Sequence, residues 1–549
     1  MLVSSFCLVA VEYWPSQAQP HDLNETLLET DMIWKKRELT HLTERAVIPE
    51  SFGSRHRRAF LNQKGVLIME EKEPEIQFTL VESLLIMVIM FAILGGMIIG
   101  LEMAPQIPIL FVFTLLMFYG RLRKVTWDQV FDGIVDGIKP GIIPIMIFLM
   151  IGLLVSSWLR SGTIATIMVI GFHILSAKFF LPTVFLICCL IGITVGSAFT
   201  TISTMGIAFM GIGHILGFSD AVTAGAIVSG AFFGNNMSPL SDTSNLTTGL
   251  AKVNLYRHLK NMGATAIPSA ILALILFFIV GQSSGAANLA QIHLISQHLQ
   301  QSFTVSAWSL LPILVLLILA WRQVPAIPTL LVGSLTALVM IIVETPGYRV
   351  ANVGDLLMNG NVAKTSSTTV NRLMSGGGIN NMLGSVSLII VALALGGLLI
   401  KFGVVHTLIN SIKQYVNAPG KLILLTMLSG IGVNFLVGEQ YLSIILPGTT
   451  FMSSYDQLGL DRKYLTRTLA SGGADVNALV PWGVSGVFIA GTLGVNPLDY
   501  VPLAFYAYID PVVTILFGFT VVTWKYRRQR KQGTRPTPDL AAEVVKDSH

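Results

Sequence analysis

Residues 234–245 read Gly-Asn-Asn-Met-Ser-Pro-Leu-Ser-Asp-Thr-Ser-Asn. These twelve positions supply one carboxylate, three amides and four hydroxyls, interrupted by Pro239. They sit in a chain of 549 residues that is 53% hydrophobic and only 12% charged, whereas a soluble domain carries about a quarter charged residues. Such a composition excludes a disordered chain, a secreted disulfide scaffold and an ordinary cytosolic enzyme, and points to a chain that faces lipid. Each unpaired polar group buried away from water costs a few kcal/mol. Irregular polar backbone therefore survives at membrane depth only where protein or a wet cavity covers it. The competing reading, a polar loop outside the membrane followed by the basic run from Lys252, weakens because the same pattern recurs downstream.

The recurrence is Asp475-Val476-Asn477-Ala478-Leu479-Val480-Pro481-Trp482. Asn-x-x-x-Pro occurs in both places, at Asn235/Pro239 and Asn477/Pro481, and both prolines read as hairpin breaks. An offset of 241 to 242 residues also aligns Gly137 with Gly378, Arg160 with Lys401, Gly162 with Gly403, Ser229-Gly230 with Ser471-Gly472, and Gly249 with Gly491. One offset held over more than a hundred residues predicts two copies of one unit, 78–285 and 303–524.

Spanning helices need about twenty apolar residues. The first copy offers 79–101, 104–120, 139–159, 163–177, 181–209, 221–238 and 264–281. The second offers 306–321, 324–343, 383–400, 403–412, 421–452, 478–494 and 501–524. The runs 181–209 and 421–452 are too long for single spans, and Gly196, Gly438 and Pro447 are their expected breaks. The fold class is thus all-α and polytopic, with two repeats built on broken helices and re-entrant hairpins. Basic loops at Arg121-Arg123-Lys124 and Lys252-Arg257-Lys260 have nearly uncharged counterparts at 362–366 and 494–502. Conversely, Arg462-Lys463 and the tail from Lys525 are basic where their first-copy partners are not. The positive-inside rule then predicts that the second copy is inverted and that the C-terminus is cytoplasmic. Lys413 and Lys421 fit this pattern poorly.

Charge is concentrated at the end of the chain. The tail, 525–549, holds seven Lys/Arg against three acids, so it carries most of the net charge of +5. That is the signature of a segment beside a membrane, and no nucleic-acid groove is implied. Residues 1–68 are polar and of mixed charge, and they read as an extension outside the membrane unit, with Met69 a candidate start. The weakly apolar stretch Leu2–Val11 lacks the charged leader of a signal peptide. Cys188 and Cys189 are adjacent inside an apolar run and read as small apolar residues. Two amphipathic stretches, 127–138 and 350–374, also pair up between the two copies. They would lie in the membrane interface framing a moving part, or serve as connectors. In the first, Val130, Phe131, Ile134, Val135 and Ile138 form the apolar side.

Hard cations such as Na+ take oxygen ligands from carboxylates, amides, hydroxyls and freed carbonyls. The residues that could supply them are Asn235, Ser238, Ser241, Asp242, Thr243 and Asn245 at the first tip, and Asp475 and Asn477 at the second. A third element precedes each tip: Gly196 to Thr204 with Thr200 and Thr201, and Asn434 followed by Gly438-Glu439-Gln440-Tyr441. Glu439 stands alone in the apolar stretch 431–446. An intramembrane acid is a functional candidate by default, and burial poises it to exchange a proton for a cation; the plain alternative is a carboxylate paired with a nearby Arg or Lys. Asp242, Asn245 and Glu439 are the expected Na+ ligands. Asp510-Pro511 would face the cavity or end a loop. Arg160 and Lys401 would snorkel at helix ends. The chain has no Walker A loop, no H-E-x-x-H and no C-x-x-C, so transport not driven by ATP is implied and no cofactor is expected.

The stretches Gly230-Ala-Phe-Phe-Gly234 and Met237-Ser-Pro-Leu-Ser-Asp-Thr-Ser-Asn245 resemble the hallmark of the NhaC-type Na+/H+ antiporter family. Gly196–Met210, Gly438-Glu439-Gln440-Tyr441-Leu442-Ser443, Leu479-Val480-Pro481-Trp482 and Gly486-Val487-Phe488 are similar to that family's other motifs, so the likeness covers about 78 to 524. It implies an ion-transporter fold with inverted repeats, re-entrant hairpins, and separate scaffold and transport domains. It also implies exchange of cytoplasmic Na+ for external H+ across a bacterial plasma membrane, as a homodimer. One branch of the family exchanges malate for lactate, so a Na+- or H+-coupled carrier of an organic anion or amino acid is the second expectation. This sequence departs from the pattern in reading Asn235-Asn236 where the family has Asp-Lys, and Ala470-Ser471 where it has Glu-Asp. Asp475 is the nearest acid that could compensate.

Overall fold

The computed structural model describes residues 60–61, 67–68, 78–174, 177–283, 289–322, 324–345 and 349–531. It divides into two compact units, Met1–Lys72 and Glu73–His549. Within the first, the described residues form a two-rung antiparallel ladder, Phe60 with Ile68 and Leu61 with Leu67. The rest of the 1–68 extension, Met69 and the tail beyond Lys531 lie outside the described residues.

The second unit is helical. Eight helices are long and apolar enough to cross a membrane, or up to ten if each bent pair counts as one span, among the described residues. In the stretch expected to form the first copy, the helices that bear on the site are α1 (Ile142–Arg160), α2 (Thr163–Ile174), α3 (Phe180–Val195), α4 (Ala198–Ile215), α5 (Asp220–Met237), α6 (Asp242–Ala251) and α7 (Leu255–Ser283). Their counterparts are α8 (Ile379–Lys401), α9 (Val404–Lys413), α10 (Pro419–Val437), α11 (Gln440–Gln457), α12 (Lys463–Leu479), α13 (Val484–Leu493) and α14 (Phe505–Lys531). Helix bounds follow the offset seen in the sequence: α4 and α11, and likewise α6 and α13, begin and end 242 residues apart. The left-handed residues between them repeat too, as Gly162/Gly403, Gly196/Gly438, Gly217/Gly459 and Lys252/Gly494.

Several apolar runs resolve differently from a simple span. The run 181–209 splits at Gly196 into α3 and α4, and 421–452 splits at Gly438 into α10 and α11. Pro447 breaks nothing; it lies inside α11. The run 403–412 forms α9, ten residues long and too short to span. In helix Trp127–Ile138 the buried positions are Val130, Gly133 and Gly137, while Phe131 and Val135 face outward. A Cβ on Gly137 would stand 2.4 Å from the Leu393 carbonyl oxygen. Small residues therefore turn inward there, because the backbone of α8 passes directly alongside. The adjacent thiols of Cys188 and Cys189 are buried in α3.

Candidate ion-binding site

Each copy brings a helix break against its own hairpin tip. At the first break, Gly196 has φ +74° and ends α3, and a Cβ there would meet Leu240 Cβ at 2.6 Å. Only glycine meets both demands, the left-handed backbone and the close approach. The tip is fastened to the same place: Ser238 Oγ donates to the Ile193 carbonyl at 2.6 Å. At the second break, the carbonyl of Gly438 (φ +76°) accepts from the Val484 N–H at 2.7 Å and from Asn477 Nδ2 at 3.2 Å.

Both tips are tight turns with proline second. Ser241 N–H donates to the Ser238 carbonyl, and Gly483 N–H donates to the Val480 carbonyl. Pro239 and Pro481 occupy the position a type I or II turn favours for proline, so they end α5 and α12 there. Ser241 then caps α6 by accepting from Ser244 N–H. Gly483 has no side chain to cap α13, and Asn477 Oδ1 accepts the Ser485 N–H at 2.9 Å instead.

Asn477 is spent on this clasp. Its amide also donates to Asn434 Oδ1 at 2.8 Å, and Asn434 in turn donates to the Gly472 and Gly473 carbonyls. Thr200 and Thr201 are bonded to Ser197 within the first turn of α4. Asn235 donates to Thr243 Oγ1 at 3.0 Å, and Thr243 Oγ1 pairs with Ser241 Oγ at 3.0 Å. Asn245 Nδ2 donates to the Ser241 carbonyl at 2.7 Å and to that of Pro239 at 3.3 Å, leaving its side-chain Oδ1 for a ligand.

One of the sequence-selected acids, Asp242, is hydrogen-bonded to a residue that follows another of them, Glu439. Asp242 begins α6, is exposed, and accepts the Thr243 N–H on Oδ1. Its Oδ2 accepts the hydroxyl of Tyr441, which follows the second break. Glu439 is fully buried, two residues before that tyrosine. One oxygen of Glu439 caps α11 by accepting the Leu442 N–H at 2.8 Å, while Oε1 has no hydrogen-bond partner among the described residues. The plain alternative of a Glu439–Arg or Glu439–Lys ion pair is not present among the described residues.

Asp475 lies elsewhere. Its carboxylate receives Asn236 Nδ2 at 2.6 and 2.7 Å, and the same amide donates to Tyr506 Oη at 3.2 Å. Asp510 does not end a loop. It is fully buried inside the helix Phe505–Phe517, where Pro511 is also interior, and it accepts from Ser471 Oγ at 2.5 Å and Ser269 Oγ at 3.3 Å. Sequence reasoning passed over Ser269, Tyr506 and Arg467, and named Asn236 and Tyr441 only within their motifs, without a role at the site. Arg467 is fully buried, with its guanidinium 4.3 Å from the Phe517 ring centre. Its signal was available, since it lies one helical turn inside the basic pair Arg462-Lys463.

Comparison with known proteins supplies the rest. Residues 230–522 match the sequence profile of the Na+/H+ antiporter family. The chain is 40% identical to the Na+/H+ antiporter NhaC of Alkalihalophilus pseudofirmus, over 82% of this chain and 96% of that protein. It is 36% identical to the Na+/H+ antiporter NhaC of Bacillus subtilis, over 76% of this chain and 93% of that protein. Against the arginine/ornithine antiporter ArcD of Halobacterium salinarum, identity is 33% over 86% of this chain and 98% of that protein.

Proposed function

The chain belongs to the Na+/H+ antiporter family, and on that premise we propose how its site holds the cation. It is a multi-pass membrane protein and a secondary transporter that exchanges Na+ for H+. In our reading Na+ binds between the first hairpin tip and the second helix break, on the carboxylates of Asp242 and Glu439 and the side-chain Oδ1 of Asn245. Ser241, Thr243, Asn235 and Ser238 hold the tip in shape, and Asn477, Thr200 and Thr201 hold the breaks.

The observation that carries this reading is the hydrogen bond from Tyr441 to Asp242, which ties the first hairpin tip to the helix two residues after Glu439, whose Oε1 has no partner among the described residues. A buried carboxylate oxygen without a donor is costly unless a cation or proton satisfies it. Two carboxylates and an amide carbonyl are the oxygen-rich set a small hard cation requires. Breaks and tips that fasten to each other within each copy would move as one body, alternately exposing the site on either side of the membrane. Cytoplasmic Na+ would leave against entering H+, with the C-terminus cytoplasmic, the two copies inverted, and the protein a homodimer in the plasma membrane.

The test is a proteoliposome assay with an imposed pH gradient, comparing Na+, Li+ and K+. Wild-type protein should move protons in response to Na+, and Asp242→Asn should not; full activity in that variant overturns the site. The similarity to an arginine/ornithine antiporter favours a second reading, a carrier coupled to an organic anion or amino acid. Adding arginine, ornithine, malate or lactate to the same vesicles decides between them, since only the second reading expects their accumulation.

A further inference from the structure

We infer that the carboxyl pair Asp475–Asp510 is a separate proton-binding site, distinct from the cation site and joined to it through Asn235 and Asn236. This rests on the reading of Asp242 and Glu439 as the cation site. Neither Asp475 nor Asp510 touches or adjoins the groups assigned to Na+.

Both carboxyls are fully buried and face each other: Ser471, four residues before Asp475, donates to Asp510, and Asn236 joins Asp475 to Tyr506, four residues before Asp510. Two buried carboxylates in contact cannot both stay ionised, and such pairs titrate as a unit. The titratable and charged groups facing the pair are Tyr506 on α14 and Arg467 on α12; beyond them Tyr464 on α12, Tyr455 on α11 and His258 on α7 surround Arg467, and Cys189 on α3 neighbours Tyr506. Arg467 is the one permanent charge among them, so a pair sharing one proton, with net charge −1, is balanced by one guanidinium. Losing that proton would leave an uncompensated buried charge, so occupancy of the pair is tied to what neighbouring groups bind.

Asn236 gives the independent sign that a proton is the ligand. It is fully buried, its Nδ2 lies on both oxygens of Asp475, and its Oδ1 has no partner. Turned over, the same amide would offer Oδ1 as the acceptor for a protonated Asp475, so it fits both protonation states. Next to it in sequence, Asn235 donates to Thr243, whose backbone N–H holds Asp242. Two adjacent amides thus link the cation tip to the carboxyl pair, a route by which filling one site can displace the occupant of the other.

The experiment uses the full chain in proteoliposomes, with two readouts: exchange of radioactive Na+ for Na+, which needs no proton, and Na+-driven proton movement over a range of pH. Asp510→Asn should keep Na+/Na+ exchange within roughly twofold and lower proton movement by about tenfold or more. Ser471→Ala removes a donor to ionised Asp510, so the pair should keep its proton to higher pH. The half-maximal point of the proton-flux profile should then move up by roughly one pH unit, with Na+/Na+ exchange unchanged. Wild-type proton flux and profile in both variants overturns the proposal, as does loss of Na+/Na+ exchange in both. If the cation reading is wrong instead, Asp242→Asn retains Na+-dependent flux, a different outcome from either of these.

Discussion

Tyr441 is the residue on which the cation site turns, although the sequence marks only the stretch that holds it and not the tyrosine itself. A tyrosine inside an apolar helix is ordinary, and its importance comes from the carboxylate it meets 199 positions away. Asp242 and Glu439 were legible because ionised groups are rare in apolar surroundings, so each acid there calls for a reason. Arg467 was overlooked because it follows a basic pair that reads as a loop. A hydrogen bond to a charged group contributes roughly 1.5–3 kcal/mol, so Tyr441→Phe should raise the KM for Na+ by about tenfold. Initial rates of Na+-dependent proton flux at varied Na+ measure this, and an unchanged KM would remove Tyr441 from the site.

At the scale of elements, glycine and proline carry the punctuation, and they do not carry it equally. Gly196 and Gly438 end α3 and α10 in the same left-handed conformation, which costs a side-chain-bearing residue about 1–2 kcal/mol. A Cβ on Gly196 would also collide with Leu240 at 2.6 Å, whereas the nearest atom to one on Gly438 is 3.3 Å away. Gly196→Ala should therefore lower thermal stability in detergent more than Gly438→Ala does, and the reverse order would refute the clash argument. Pro239 and Pro481 make turns, while Pro447 and Pro511 stay inside helices. Sequence cannot separate these cases, because a buried helix tolerates the lost hydrogen bond when neighbours satisfy the freed carbonyl.

The loop before α12 adds a pH-dependent tie between α7 and α12. Burial acts to raise Asp461, but the Lys463 backbone N–H and ammonium and the Arg257 guanidinium outweigh it and hold the carboxyl below its usual range. A carboxyl depressed in the folded state contributes stability above its unfolded pKa, near 4, and loses it as pH falls through the lower folded value. Asp461→Asn should therefore melt several degrees lower than wild type at neutral pH. The difference should shrink as pH falls below about 4 and vanish only below the depressed folded value. Melting curves at both pH values check this.

For the whole molecule, the open question is sidedness. The basic loops predict that Lys124 and Lys531 share the cytoplasmic side and that Val362, 68% exposed, lies on the other. With the native cysteines replaced, Lys124→Cys and Lys531→Cys should react with an impermeant maleimide in inverted vesicles. Val362→Cys should react only in right-side-out ones. Labelling of all three from one side would exclude the inverted arrangement.

Much of this architecture was readable from the chain alone. Apolar run lengths, the 242-residue period, the glycine breaks and the proline tips are set by neighbours along the sequence, because helix propensity and turn chemistry are local. What only the tertiary structure decided is which polar group faces which. Asp242 meets Tyr441, Asn236 meets Asp475, and Ser269 meets Asp510, each across about two hundred residues or more. Such pairings depend on how packed helices rotate and cross. A shift of one residue turns a helical side chain by about 100°, and no local pattern fixes that angle between distant segments.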